Sequence, residues 1–221
     1  MSYFAFLAEH GTTLLLGTVT TIKVLVCSII LYVIISMIFG LMRLSKNPIV
    51  QGTATVYIEF FRGTSLLVQL FWAYYVLPFF GISLEAFTAG VAALGLNFGA
   101  YGAEIVRGGI LAVPKGQWEA AESLAFSRLQ ILWKIILPQC FKRMIPPWMN
   151  WYAILTMATP LCSLLGVEEI ITLSRQAMEA ENNHPELLVP FYSFALALFF
   201  IYCYPIAKFT VYLEKKYSVK L

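Results

Sequence analysis

Long stretches without a single charged side chain constrain the fold of this chain more than any other feature. Five of them run over 24–42, 63–84, 86–103, 144–167 and 187–207, with lengths of 19, 22, 18, 24 and 21 residues. A helix that crosses the hydrocarbon core of a bilayer needs about 20 mostly apolar residues. Only Glu85 separates the second stretch from the third, so Pro78 and Gly81 are expected to supply the turn between them. The sequence therefore predicts five membrane-spanning helices.

The composition supports this interpretation. Apolar residues make up 60% of the chain and charged residues 12%, whereas an ordinary soluble domain carries about 25% charged residues. A water-soluble fold of this length could not remove so much apolar surface from water. The net charge is only +3, which is not the strongly basic footprint of a nucleic-acid-binding protein. We therefore expect an all-α polytopic membrane protein of one domain, not a soluble enzyme, a nucleic-acid binder or a disordered protein.

The positions of Lys and Arg predict the orientation. With neighbouring apolar residues included, the expected spans are 12–42, 63–84, 86–106, 144–167 and 187–210, with a loop over 107–143. Thirteen of the 15 cationic residues lie in 43–62, in 104–143 or after residue 207, and cytoplasmic loops are enriched in such residues. The N-terminus is therefore predicted to lie outside and the C-terminus in the cytoplasm. The first apolar run is too long for a signal peptide, so it is expected to be a retained span.

The cytoplasmic loop has the pattern of two short amphipathic helices. It is bracketed by Pro114 and Pro138, with a break near Phe126 and Ser127. One predicted helical face carries Trp118, Ala121, Leu124 and Ala125, and the next carries Leu129, Leu132, Trp133 and Ile136. From periodicity alone, the pair is either a set of interfacial helices on the lipid headgroups or a docking element for a partner.

The same loop resembles the EAA signature of the membrane subunits of ABC importers. The pattern E-A-A-x3-G-x9-I-x-L-P is matched in spacing by Glu119, Ala120, Ala121, Ala125, Ile135, Leu137 and Pro138. Stretches 17–24, 59–71, 100–110 and 137–147 are similar to the polar amino acid permeases, so the resemblance covers roughly residues 12–212. Ala125 replaces a Gly that lies at the bend between the two helices in that family. Because Ala resists the positive φ that Gly adopts freely, we expect the bend here to be opened differently.

The resemblance implies a type I ABC importer fold in the bacterial inner membrane. It implies a permease subunit that pairs with a second permease subunit, two ATPase subunits and an extracytoplasmic amino acid-binding protein. The signature residues, Glu119 to Ala121, Ala125, Leu137 and Pro138, would then couple transport to the ATPase. The chain has no G-x4-G-K-[ST] phosphate loop, so we expect it to bind no cofactor and to have no ATPase site, with ATP and Mg on the partner. The alternative is an ion-coupled secondary amino acid carrier acting alone, which predicts buried ionisable residues and repeated broken helices.

The fourth span contains the strongest candidates for the substrate pathway. Pro160 removes a backbone donor and leaves the carbonyl of Thr156 without its usual partner, while Thr159 and Ser163 add hydroxyls on the same face. This segment either lines a cavity or is a kinked packing helix whose hydroxyls bond back to their own backbone. Many members of the family carry a Lys-Asp-type pair where this chain has Met157 and Ala158. That difference, with Ala125, favours a pair of unlike permease subunits over a homodimer.

Further charged and polar residues are weaker pathway candidates. Asn97 and Tyr101 lie one turn apart in the third span, and Lys23 either snorkels outward or attracts a substrate carboxylate. Glu104 is expected to pair with Arg107 three residues on. The outer loop 168–186 has a net charge of −4, from five Glu against one Arg. It is either a docking surface for a basic patch on the binding protein or an ordinary solvated loop.

Overall fold

The computed structural model describes residues 10–180 and 188–217, and most of them are helical. In chain order the α-helices are α1 (Gly11–Met42), α2 (Pro48–Gly63), α3 (Leu66–Phe71), α4 (Ala86–Leu111), α5 (Lys115–Ser123), α6 (Arg128–Ile131), α7 (Leu137–Ala158), α8 (Ile170–Ala180) and α9 (Leu188–Tyr217). Tighter or wider helical turns extend three of them: a π turn at Trp72–Val76 and a 3₁₀ turn at Leu77–Phe80 follow α3, a π turn at Leu132–Ile136 follows α6, and a 3₁₀ turn at Thr159–Leu165 follows α7. No strand occurs in the described residues.

Within the described residues, three helices are long and apolar enough to cross a membrane. These are Gly11–Met42, Ala86–Leu111 and Leu188–Lys216. Two bent helix pairs raise the number to five if each pair is one span: Pro48–Gly63 with Leu66–Phe80, and Arg128–Leu165 with Ile170–Glu179. The predicted all-α polytopic fold is confirmed. The segment that the sequence analysis treated as a connection, 43–62, instead contains helix α2.

Prolines explain the irregular turns. Pro78 and Pro138 each follow a π turn, in which the Leu77 N–H donates to the carbonyl of Trp72, and the Leu137 N–H to that of Leu132. Because proline lacks an N–H and its ring collides with the carbonyl four residues earlier, a locally wider turn relieves the conflict. Gly81 ends this helical segment with a φ of 82°, as expected for the turn between the second and third predicted spans.

The described residues form two compact units that alternate along the chain. The first unit contains 10–31, 64–95, 154–180 and 188–205, and the second contains 32–63, 96–153 and 206–217.

The first unit packs α1 against α8 and α9. Leu14 of α1 is buried with Ala177, Met178 and Phe191. Gly17 lets α1 approach the start of α8, because a Cβ at this position would lie 2.8 Å from the Cα of Ile170. The Ile170 N–H donates to the hydroxyl of Thr21 at 3.3 Å, so the first turn of α8 is fixed to α1.

The second unit is built around one apolar cluster. Its buried members are Val106, Ile110, Val113, Ala121, Ile131, Ile136, Leu137, Cys140 and Met144. They come from α4, the connection between α4 and α5, α5, α6, the π turn after α6, and α7. Burying each large aliphatic side chain contributes about 1.5–3 kcal/mol, so α5 and α6 are held firmly on α4 and α7.

Candidate coupling hairpin and substrate pathway

Helices α5 and α6 form the predicted helical pair, named here the coupling hairpin (residues 115–138). Ser127 caps α6: its hydroxyl accepts from the Gln130 N–H at 3.4 Å, and the Gln130 side chain accepts from the Ser127 N–H at 2.9 Å. This reciprocal pair is a capping box, which satisfies two otherwise orphaned donors. The break predicted near Phe126 and Ser127 is therefore confirmed, and the residues that make it are local in sequence.

The expectation that Ala125 would force a different bend is wrong. Ala125 has a φ of 58° and is the only non-glycine residue with a positive φ among the described residues. Its N–H donates to the carbonyl of Glu122 at 2.9 Å, and the Phe126 N–H donates to that of Ala121 at 3.3 Å. These two bonds form a Schellman motif. They and the packing of Phe126 on the apolar cluster offset a left-handed backbone that costs an L-residue about 1–2 kcal/mol.

The signature residues separate into an outward set and a buried set. Glu119, Ala120, Ala125 and Pro138 are exposed, whereas Ala121 and Leu137 are 3% and 2% exposed and belong to the apolar cluster. The small side chain of Ala121 therefore lets α5 lie close to its own unit. Glu119 and Ala120 are the signature residues of α5 that a partner can reach.

The apolar residues of the hairpin differ in their burial. Leu124, Leu129 and Trp133 are exposed at 72%, 71% and 55%, whereas Ile131 and Ile136 are fully buried. The π turn explains the difference, since a wider turn brings residues five apart into register. The simple helical period therefore missed Ile131 and placed Leu129 and Trp133 on one face with Ile136, which alone of these three is buried.

Polar contacts connect the ends of the hairpin to its neighbours. The Gln139 side chain donates to that of Gln117 at 3.3 Å, and Arg143 donates to the carbonyl of Ala112 at 2.8 Å. The start of the hairpin and the segment before it are thus hydrogen-bonded to α7, the helix that follows the hairpin. The hairpin is therefore joined to α4 and α7 by covalent, apolar and polar contacts.

In the fourth predicted span, hydroxyls bond to the local backbone. Thr159 donates to the carbonyl of Thr156 at 2.8 Å, and Ser163 donates to that of Pro160 at 2.7 Å. Thr156 and Thr159 are buried at 2% and 1% exposure. The carbonyl that Pro160 was expected to leave without a partner therefore receives a hydroxyl. Hydroxyls that bond to their own backbone are what the alternative of a kinked packing helix predicts.

The first unit contains a cavity of about 400 Å³. Thr156 lines it with residues from α1 and α9: Thr18, Thr21, Ile22, Leu25, Phe194, Ala197, Leu198, Phe199, Ile201 and Tyr202. The hydroxyls of Thr18 and Thr21 donate to the carbonyls of Leu14 and Gly17, so the walls are chiefly apolar. Lys23 is exposed on α1 and does not line the cavity. Thr18 and Thr21 were missed, although their spacing of three residues in an apolar run was visible in the sequence.

Asn97 and Tyr101 lie in the second unit and contact different groups. The Asn97 amide donates to the carbonyl of Phe61 at 3.0 Å. The Tyr101 ring stacks on Trp151, with centroids 4.1 Å apart and planes at 24°. The guanidinium carbon of Arg62 lies 5.3 Å from the Tyr101 ring centroid. Arg62 and Trp151 were not predicted as site residues, because only the fold brings them to Tyr101.

Glu104 forms the predicted ion pair and one more. Its carboxylate accepts from Arg107 at 2.8 and 3.0 Å, which confirms the expected pairing. The other oxygen lies 3.3 Å from the Nε of Arg43. Glu104 therefore connects the end of α1 to α4 within the second unit.

The outer segment differs from the predicted loop. Its residues Ile170–Ala180 are helical, and Glu169 is fully buried, so Glu169 cannot belong to an exposed docking surface. Its carboxylate accepts from the Thr172 N–H at 2.9 Å and so caps α8. Glu168 and Glu179 are exposed, whereas Glu181 and Glu186 lie outside the described residues.

The chain is similar to known amino acid permeases. The family described as binding-protein-dependent transport system inner membrane component matches residues 32–217. A probable amino-acid ABC transporter permease protein of Sinorhizobium fredii is 41% identical over 194 residues, covering 83% of this chain and 82% of the relative. The L-cystine transport system permease protein of Bacillus subtilis is 37% identical over 188 residues, covering 85% and 79%.

Solved structures show the same fold. The crystal structure of an amino acid ABC transporter with histidines superposes with a TM-score of 0.85 and 29% identity, covering 98% of this chain and 99% of that one. An inward-facing MetNI methionine ABC transporter gives a TM-score of 0.74 at 18% identity, covering 96% and 99%. The chain therefore belongs to the binding-protein-dependent transport system inner membrane components, within their amino acid ABC transporter permeases.

Proposed function

We propose that this chain forms half of the substrate pathway of an ATP-driven, binding-protein-dependent importer of polar amino acids. The second half is another permease subunit, and an unlike subunit is favoured by the departures at Ala125, Met157 and Ala158. Two partner ATPase subunits bind ATP and Mg, and this chain contributes no ATPase site. An external binding protein delivers the amino acid. The N-terminus lies outside and the C-terminus in the cytoplasm.

The observation that carries this proposal is the construction of the coupling hairpin. Glu119 and Ala120 are exposed on α5, while Ala121 of the same turn is buried in the apolar cluster. The hairpin thus presents a small, acidic contact surface on a rigid support, and an exposed helix face of this kind fits a groove on a soluble partner. When the ATPase subunits close, the hairpin moves and carries α4 and α7 with it.

Exchanging the charge of Glu119 tests the coupling. We expect Glu119→Arg to abolish ATP-dependent amino acid uptake in proteoliposomes and to reduce co-purification of the ATPase subunit, because the contact surface would carry the wrong charge. Glu122→Arg is the matched control, since Glu122 is an exposed Glu on the same helix outside the signature. Uptake that survives Glu119→Arg, or is lost equally in both variants, would contradict the proposed contact.

Uptake also distinguishes this proposal from a carrier acting alone. The importer requires ATP inside the vesicle, the ATPase subunit and the binding protein together. Uptake by the purified permease alone, driven by an ion gradient, would overturn the proposal in favour of the secondary carrier.

A further inference from the structure

We propose that Arg62, which lies over the ring of Tyr101, binds the carboxylate of the transported amino acid. The inference rests on the proposed function and extends it by naming a recognition residue. It concerns the part of the substrate that all amino acids share, so it makes no assumption about which side chain is carried.

The site is a stack of three groups in the second unit. The Arg62 guanidinium carbon lies 5.3 Å from the centroid of the Tyr101 ring, and that ring stacks on Trp151 at 4.1 Å. Phe98 packs edge-on against Trp151, with centroids 6.0 Å apart. A guanidinium held over a ring face keeps its in-plane N–H donors available. Those donors match a carboxylate with two parallel hydrogen bonds.

The charge of Arg62 is not neutralised by an ion pair in the described part of the chain. Arg43 pairs with Glu104 and, at 3.9 Å, with Glu59, while Arg107 pairs with Glu104. Glu104 also acts on Arg62 electrostatically, but only beyond ion-pair distance. The three arginines exceed the two carboxylates by one positive charge. An anion would balance that charge, and Arg62 is the exposed member of the group that is able to receive it.

Neighbouring contacts hold Arg62 in place before any ligand arrives. Asn97 donates to the carbonyl of Phe61, the residue before Arg62, at 3.0 Å. Tyr57, one turn earlier on α2, donates to the carbonyl of Leu96 at 2.6 Å. The last two turns of α2 are therefore bound to α4 by two hydrogen bonds. A preorganised cation of this kind loses little freedom when it binds a carboxylate.

The fourth predicted span does not supply a cation for this purpose. Met157 and Ala158 occupy the positions where many members of the family carry a Lys-Asp-type pair. The span has no charged residue over 144–167. The ≈400 Å³ cavity of the first unit has chiefly apolar walls, and no Lys or Arg is among the residues that line it. Neither this span nor this cavity therefore offers a positive charge to the carboxylate, whereas Arg62 does.

The test compares each amino acid with its α-amide, which lacks the negative charge. The permease–ATPase complex is placed in phosphatidylcholine nanodiscs without binding protein, and binding of the labelled common L-amino acids and L-cystine is measured one by one. We expect the wild type to bind at least one acid on the order of tenfold more tightly than its α-amide. We expect Arg62→Gln to abolish this preference and Arg62→Lys, which keeps the positive charge, to retain part of it.

Three results would overturn the proposal. The first is an acid-over-amide preference that survives Arg62→Gln. The second is the absence of that preference in a wild-type complex that transports amino acids. The third is an effect of Arg62→Gln seen only when phosphatidylglycerol is added, which would make Arg62 a lipid phosphate site. Failure of the proposed function is distinct from all three, because then the wild-type complex with its binding protein takes up no amino acid in response to ATP.

Discussion

Ala125 provides a sharp test of the hairpin geometry, because glycine should be better than alanine at this position. The backbone φ of 58° costs an L-residue about 1–2 kcal/mol, and glycine does not have this cost. Glycine is more flexible in the unfolded chain, which removes part of the gain. We therefore expect Ala125→Gly to stabilise the hairpin by about 1 kcal/mol, which is roughly a fivefold change in a local opening constant.

Hydrogen exchange of the assembled complex measures this effect. Amides of residues 115–138 should exchange roughly fivefold more slowly in Ala125→Gly than in the wild type. Ala120→Gly is a matched control, for which we expect faster hydrogen exchange. Ala120 is an exposed residue inside α5, where glycine destabilises a helix by about 1 kcal/mol. If both substitutions accelerate exchange, the reasoning from the positive φ is refuted.

Three further predictions concern the packing of Gly102, the ion pairs of Glu104 and the helix cap formed by Glu169. Gly102→Val should lower the melting temperature and the yield, because a Cβ there would collide with Ser36, whereas Gly108→Ala meets open space and should change the helix by less than about 1 kcal/mol. Glu104→Gln should destabilise the complex by about 1–3 kcal/mol in thermal unfolding, because two arginines lose their shared carboxylate. An unchanged melting temperature would show that this pairing does not stabilise the fold. Glu169→Ala should speed hydrogen exchange at the start of α8 by roughly fivefold, because the helix loses its cap. Glu169→Gln keeps a hydrogen-bond acceptor and should not have this effect. Equal effects of the two substitutions would mean that the charge of Glu169 matters and not its role as a cap.

Much of the fold was predictable because the bilayer imposes a simple rule on composition. Charge-free runs of about 20 residues predicted the long helices, and α1 and α4 lie where two of these runs are. Helix α2 was missed because Glu59 and Arg62 interrupt its apolar pattern. The turn at Gly81 and the break at Ser127 were predicted, since both depend on local residue chemistry.

The site was only partly predictable, because its less regular features depend on tertiary contacts. Ala125 adopts a left-handed backbone that its own sequence disfavours, and the neighbouring hydrogen bonds and the packing of Phe126 decide the outcome. The π turn before Pro138 changes the helical phase, so a fixed period could not find Ile131. The stack of Arg62 on Tyr101 joins residues 39 positions apart, and no local pattern connects them.

The central claim is that the coupling hairpin touches a separate ATPase subunit. Its most direct test places a photo-reactive amino acid at position 120 of the permease within the purified complex, irradiates it with and without ATP, and identifies the captured polypeptide by mass spectrometry. The account predicts a cross-link to the ATPase subunit whose yield changes with ATP. Capture of lipid alone, or of this chain's own helices alone, in both conditions would contradict it.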